Sequence, residues 1–395
     1  MKVLLAALLL ASFLHANSAA AECTSGSYSP PSTPLYLKGG FLEEESGIVK
    51  SRKQDGVFWL HNDNYDKKYV YAIRTTGANA GRVLTVLDLE DLPGINQYSD
   101  FEDIAIANCP FQDDLPSEDQ RDCIFVGDSG NNAEWDKGEF VYAVPEPDVS
   151  EDSFRRLKPE EAVVLRLIFP PDEYGYHKGP NVEAFTAAPD GKMWMFHKTM
   201  SHGGDGPAEI WESPSLRERP RHQDACSVDT NGTWLCDLGD RPESDLKLRS
   251  HRFRGAEIVS SRFASIRADE GPIKVSMYPI HMEKIASLTN PKPECPSCVG
   301  PLKDIRNIAG ADLSEDGSRL LIATYGGIWI YKLGTHWDMS TLDQGTQVTT
   351  TNRDGSAMFG GGKFWSGQEG VAWSGDDIIS VSEHHKRLYK LTCLD

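Results

Sequence analysis

The chain has 395 residues, 39% hydrophobic and 25% charged, and its 40 Lys and Arg against 59 Asp and Glu give a formal net charge of −19. Such acidity excludes nucleic acid as a partner, because that affinity comes from clustered Lys and Arg on phosphates, and favours cations instead. Eight cysteines, an even number, suit a disulfide framework made in an oxidising compartment.

The chain starts with Lys2, an apolar run from Val3 to Leu14 and three alanines, Ala19, Ala20 and Ala21, which is the layout of a secretory signal peptide. Residues 1–21 are therefore expected to be removed and residues 22–395 to be a secreted, extracellular chain forming one domain. No apolar run reaches the roughly 20 residues of a membrane span, so none is expected.

A module then recurs. Each copy opens on an acidic residue beside small or β-branched ones, runs as a short strand, turns on Asp and Gly, and returns as a second apolar strand ending in polar residues. The copies read "ESGIVKSRKQDGVFWLHND" from Glu45, "EDIAIANC" with "CIFVGDSGNN" from Glu102, and "EAFTAAPDGKMWMFHK" from Glu183. Two more read "ADLSEDGSRLLIATYGG", with Asp312 as its acid, and "EGVAWSGDDIISVSEHH" from Glu369, while "GAEIVSS" with Glu257 is a faint sixth. Third strands follow at "KKYVYAI", "EFVYAV", "PAEIWES", "GIWIYKL" and "RLYKLTC", and fourth strands at "RVLTVLDL" and "AVVLRLIF".

Helical periodicity is nearly absent, and short apolar strands bounded by Gly, Pro, Asp and Asn dominate. An all-β chain of four-stranded units at this period is expected to be a β-propeller, closed by strands from both termini. Six blades are favoured; the alternative is five with a long insert from Met200 to Asn307.

The cysteines become readable in that frame. Cys109 and Cys123 flank the hairpin insert of the second module, Cys226 and Cys236 flank a short loop, and Cys23 and Cys393 lie where the two termini meet. Cys295 and Cys298 are left as a local pair. The acceptor sequon at Asn231 falls between Cys226 and Cys236 and suits an exposed, glycosylated loop.

Antiparallel neighbours bring the opening acid of each module beside the polar residues that end its second strand, all at one rim of the central channel. Converging carboxylates repel unless a cation sits among them, and hard oxygen ligands suit Ca2+. The candidate ligands are Glu45, Asn62, Asp63, Asp103, Asp128, Glu183, Glu369 and Glu383, with His197 and His384 as candidate catalytic bases. The same acids could instead hydrogen-bond free backbone N–H groups.

The series "FEDIAIA", "FVGDSGNN", "VPEP", "VEAF", "GADLSEDG" and "QEGVAW" with "VSE" resembles, in the same order over most of the chain, a family of largely uncharacterised secreted propeller proteins. That family carries D-W-E-D-I-A, Y-V-G-D-I-G-D-N, E-P, D-A-E-A and G-E-A-I-A; this chain departs from it at Phe101, Ser129 and Asn131. More distantly it is similar to calcium-dependent six-bladed propeller hydrolases of the phytase-like, gluconolactonase-like, paraoxonase-like and strictosidine-synthase-like kinds. The resemblance implies calcium held at the channel mouth by Glu, Asn and Asp.

Gly127-Asp128-Ser129-Gly130 imitates a serine-protease core, but no partner segment for a triad accompanies it. "DLSEDGSRL" imitates a calcium loop, yet its closing position is Ala323 where a bidentate Glu is required. The expectation is a calcium-binding propeller, monomeric, acting on an ester, lactone or phosphoester at the channel mouth. The alternative is a non-enzymatic protein that binds a small molecule, extracellular matrix or biomineral.

Overall fold

The computed structural model describes residues 23, 26–29, 34–39, 42–63, 67–96, 99–130, 139–170, 179–198, 208–220, 224–228, 234–237, 274–288, 308–324, 327–333, 345–350, 368–382 and 386–394. Apart from one 3-10 turn at Pro159–Glu161, the regular elements among them are β-strands.

Five sheets form the blades. Blade I runs Glu45–Lys50, Val57–Asn62, Tyr69–Arg74 and Val83–Asp88 from the axis outward, with Ser153–Arg156 added in parallel at its outer edge. Blade II runs Phe101–Asn108, Asp122–Asp128, Glu139–Pro145 and Val163–Ile168. Blade III holds Val182–Ala187, Met193–His197, Ala208–Glu212 and Glu283–Leu288, and blade IV holds Ile308–Leu313, Arg319–Thr324, Gly327–Lys332 and Thr346–Gln347. Blade V takes Gln368–Ser374, Asp377–Ser382 and Arg387–Leu391 from the end of the chain, and Leu35–Tyr36 from its beginning as the outermost strand.

The expectation of six blades is corrected to five. The innermost strand of blade III packs directly on that of blade IV, and contacts of the same kind join I to II, II to III, IV to V and V back to I. No sixth blade can enter a ring that is already closed. The strands between Met200 and Asn307 extend existing sheets instead: Asp224–Val228, Trp234–Asp237 and Lys274–His281 widen blade II to seven strands, and Glu283–Leu288 completes blade III. Glu257, the start of the faint sixth copy, lies outside the described residues, as do residues 1–21, Asn231, Cys295, Cys298, Glu383 and His384.

Strand alternation explains why the core divides into five parts. Successive side chains point to opposite faces, so in blade I Val49 and Trp59 pack toward blade II while Ile48, Phe58 and Leu60 pack toward blade V. The other interfaces hold Phe125, Phe185 and Met195 between II and III, Trp194, Phe196 and Ile322 between III and IV, and Leu321, Val371 and Ile378 between IV and V. Both faces of an inner strand are thus covered, and every residue of Val182–Ala187 and Ile308–Leu313 is buried. Each large side chain buried this way stabilises the fold by about 1.5–3 kcal/mol.

The Asp/Gly turns between first and second strands need a left-handed residue, supplied at Gly191 (φ 83°) and Gly317 (φ 71°). Blade II has a long hairpin there instead, clamped by a disulfide between Cys109 and Cys123. A second disulfide joins Cys23 to Cys393 beside the backbone bonds Ser29 N–H to Thr392 O and Leu394 N–H to Ser27 O. Cys226 and Cys236 stand opposite each other in the ladder of their hairpin.

Candidate metal centre at the channel mouth

Every blade carries the same irregularity. Between first and second strands the ladder skips one residue near the rim, and the skipped residues are Gly47, Glu102, Glu183, Ala309 and Glu369. A β-bulge of this kind re-aims its extra side chain. Three of the five bulge positions are glutamates, and all three are buried.

This register corrects the alignment of acidic module starts. Glu45 lies two residues before the bulge of blade I, so it matches Asp100 and Asn181 rather than Glu102 and Glu183. Asp312 lies three residues past the bulge of blade IV, about 10 Å further along the strand at ~3.3 Å per residue. Acidity at the start of a module therefore reflects more than one structural role.

Around the bulge of blade II, one ligand oxygen each from Asp63, Asp100 and Glu102 lies within 4.8 Å of the others. Asp63 follows the second strand of blade I, with its N–H bonded to Glu44 O at 2.9 Å. Asp100 is held by the turn that ends the second strand of blade II: Asp128 Oδ1 accepts the Asp100 N–H at 2.7 Å, and Gly130 N–H donates to Asp100 O at 3.2 Å. The backbone of Glu102 is fixed from blade I, where Ser46 Oγ donates to Glu102 O at 2.8 Å. Lys68 Nζ donates to Ser99 O at 2.5 Å and lies over the Phe101 ring, bracing the same entry strand.

Glu102 is 3% exposed, and its Oε1 has no hydrogen-bond partner among the described residues. Burial pushes its carboxyl well above the usual range, the charges of Glu183, Asp63 and Asp100 push it further, and Lys198 pulls it back. Next to it Glu183 Oε1 accepts from Lys198 Nζ at 2.7 Å and from Asn181 Nδ2 at 3.0 Å. Burial raises Glu183 as well, and Lys198 opposes that rise.

Gly130 faces this group. A methyl group on its Cα would overlap Glu102 Oε1 and sit 2.5 Å from Asp100 Oδ2. Both carboxylates approach the backbone this closely because residue 130 has no side chain. Three oxygen donors, two of them buried and one of those with an oxygen that has no partner among the described residues, are a donor set that suits a hard divalent cation.

The other candidates have different surroundings. Asp103 Oδ2 accepts the N–H groups of Phe185 in blade III and Ala311 in blade IV, both at 3.0 Å, and its Oδ1 accepts its own neighbour Ile104 at 2.9 Å. It ties three blades together across the axis. Asp128 holds Asp100, as described, and Asn62 accepts from Glu43 N–H at 3.3 Å and donates to Tyr71 OH at 3.4 Å. Glu45 is fully buried, and burial raises it to about 7 against the opposing backbone N–H groups of Glu45 and Lys386. Glu369 is the buried bulge residue of blade V.

His197 Nδ1 lies 3.9 Å from Glu209 Oε2 on the next strand of blade III, and Lys284 bonds the same glutamate. Burial lowers His197, with Glu209 opposing. Ser129 Oγ donates to Val182 O at 3.1 Å, a link between blades II and III. His61, which was not among the candidate bases, is fully buried against the edge of Phe101 and is lowered by burial to about 4, so it is neutral at ordinary pH.

Fold and site together define a five-bladed β-propeller with a carboxylate cluster at one mouth of its axis. No protein-family model matches the chain, and no curated protein matches it. Many solved structures are similar to it, among them these three. One is a PQQ-bound aldose sugar dehydrogenase from Streptomyces coelicolor, at 11% identity and TM-score 0.34, covering 92% of this chain and 99% of that one. The second is regucalcin, a calcium-binding protein from Agrobacterium tumefaciens strain C58, at 10% identity and TM-score 0.33, covering 92% and 94%. The third is a Trichoderma reesei carbohydrate-active enzyme of family AA12, at 9% identity and TM-score 0.35, covering 93% and 98%. The propeller is established by the closed ring of strands and not by these likenesses.

Proposed function

We propose that this is an extracellular, disulfide-braced propeller that binds calcium at the channel mouth through Asp63, Asp100 and Glu102, with Glu183 beside them. The observation that carries this reading is the buried, unpartnered Glu102 Oε1 inside a cluster of carboxylates. Buried polar atoms are almost always satisfied, and an unsatisfied carboxylate oxygen among like charges calls for a proton or a cation.

A bound calcium ion would supply Lewis acidity toward an ester, lactone or phosphoester oxygen. The residues of the chain would bind and orient it: Asp128 and Gly130 fix Asp100, Ser46 fixes Glu102, and Asp103 closes the ring beneath. His197, whose Nδ1 lies 3.9 Å from Glu209 Oε2, and the carboxylates of the cluster are the groups that would take a proton. The non-enzymatic alternative uses the same site as a structural or matrix-binding calcium centre.

Calorimetric titration of the purified protein with calcium chloride tests the site. Glu102→Gln and Asp100→Asn should each weaken binding at least about tenfold, the cost of removing one charged ligand. Unchanged affinity in both variants would refute the site. Calcium-dependent turnover of an ester, lactone and phosphoester panel separates the enzymatic from the non-enzymatic form.

A further inference from the structure

Lys198 is the cation that acts on the cluster. It follows directly on the second strand of blade III, its N–H is bonded to Asn181 O at 2.8 Å, and its ammonium lies 2.7 Å from Glu183 Oε1 with only 12% of the side chain exposed. The charge of Glu183 is the strongest neighbouring influence on Glu102, and the charge of Lys198 opposes it. The Lys198 ammonium is thus paired with Glu183 and offsets part of the negative charge that Glu102 meets.

We propose that Lys198 is a built-in counter-cation: it competes electrostatically with the bound divalent ion for Glu183 and thereby sets the affinity of the site. This inference rests on the cation reading of the channel mouth. Without Lys198, four converging carboxylates would hold a cation more tightly, but the cation-free protein would carry a buried, uncompensated Glu183. With it, the cation-free state is stable and the ion remains exchangeable. The consequence is a site weaker than its carboxylate count implies, which would fill and empty with external calcium rather than hold it permanently. Asn181, bonded to the same Oε1, keeps Glu183 in place in either state.

Calcium titration of full-length wild type, Lys198→Met and Lys198→Arg is the test. Lys198→Met should tighten calcium binding about tenfold or more, because a unit charge a few ångströms from a buried ion is removed, while Lys198→Arg should stay within about threefold. In the absence of calcium Lys198→Met should melt lower than wild type, and saturating calcium should raise its melting temperature by more than it raises that of wild type. A purely structural lysine would lower stability without tightening the ion. If the methionine variant does not fold, Lys198→Gln, which can still donate to Glu183 without charge, replaces it. Equal or weaker calcium affinity in a folded neutral variant overturns the counter-cation role alone. A wild type that takes up no calcium sinks the underlying site instead.

Discussion

Gly130 and Glu102 meet across the channel mouth so closely that a methyl group on Gly130 would overlap Glu102 Oε1. The contact comes from two strands of one blade, since Glu102 is the bulge of the first and Gly130 lies in the turn that ends the second. Gly130→Ala should therefore push the Asp100 and Glu102 carboxylates out of place without removing either. Calcium affinity should fall at least about tenfold, and the fold should lose about 1–3 kcal/mol by displacing two buried carboxylates. Calorimetry beside chemical denaturation reads both quantities, and a Gly130→Ala protein that binds calcium like wild type would place the ion elsewhere.

Asp103 is one residue from Glu102 and has a separate task. Its two oxygens take three backbone N–H groups from blades II, III and IV. Asp103→Ala would strand those buried donors, at about 1–3 kcal/mol each before relaxation, so a loss of roughly 3 kcal/mol or more is expected. Asp103→Asn keeps one acceptor oxygen and should lose less. Calcium affinity, measured on the folded fraction of the asparagine variant, should change less than threefold. A loss as large as that of Glu102→Gln would make Asp103 a ligand.

Much of the blade architecture is legible in the sequence because an inner propeller strand is buried on both faces, and runs such as "VEAFTA" and "IAGADL" carry that signature without help from distant residues. The blade number is not legible from spacing. The chain between Met200 and Asn307 adds strands to blades II and III, and only the packing of Val182–Ala187 on Ile308–Leu313 reveals that nothing is interposed. The site is half legible for a related reason. Glu102 and Glu183 occupy the bulge, while Asp103 and Asp312 look equivalent in sequence but face backbone donors, because one skipped ladder position changes which way a side chain points. The ligands expected from sequence omit Asp100 and Glu102 and include Asp103, although "YSDFED" carries three acids in four positions from Asp100 to Asp103.

Asp312 should make stability depend on pH. It is buried, its Oδ2 accepts Trp373 N–H at 2.8 Å, and burial lifts its carboxyl from 3.8 to about 7, with the backbone N–H groups of Trp373 and Leu313 opposing. The folded state then holds a proton that the unfolded chain releases, so this stabilisation is complete below about pH 4 and is lost as pH rises through about 7. Asp312→Asn removes the proton from the balance and keeps an acceptor for Trp373. Between pH 5 and 7 the variant should show a flatter decline in unfolding free energy, by at most about 1.4 kcal/mol per pH unit. Identical slopes in urea denaturation would mean that Asp312 is ionised in the folded protein over this range.

The Cys23–Cys393 disulfide spans 370 residues of sequence and Cys109–Cys123 spans 14. A cross-link removes more entropy from the unfolded chain when the loop it closes is longer, so by chain entropy the first should contribute about 6 kcal/mol and the second about 3. The ring does not depend on the longer bond alone. Leu35–Tyr36 pairs with Arg387–Leu391, and Leu394 N–H reaches Ser27 O at 3.1 Å, so the termini stay in place by backbone bonds when the sulfurs are removed. The double variant Cys23→Ser with Cys393→Ser should therefore fold with native circular dichroism and bind calcium normally, but unfold at lower denaturant than the Cys109→Ser, Cys123→Ser pair. The opposite order of midpoints would show that the hairpin clamp of blade II, at the far end of the strand that begins at Phe101, is the more important restraint.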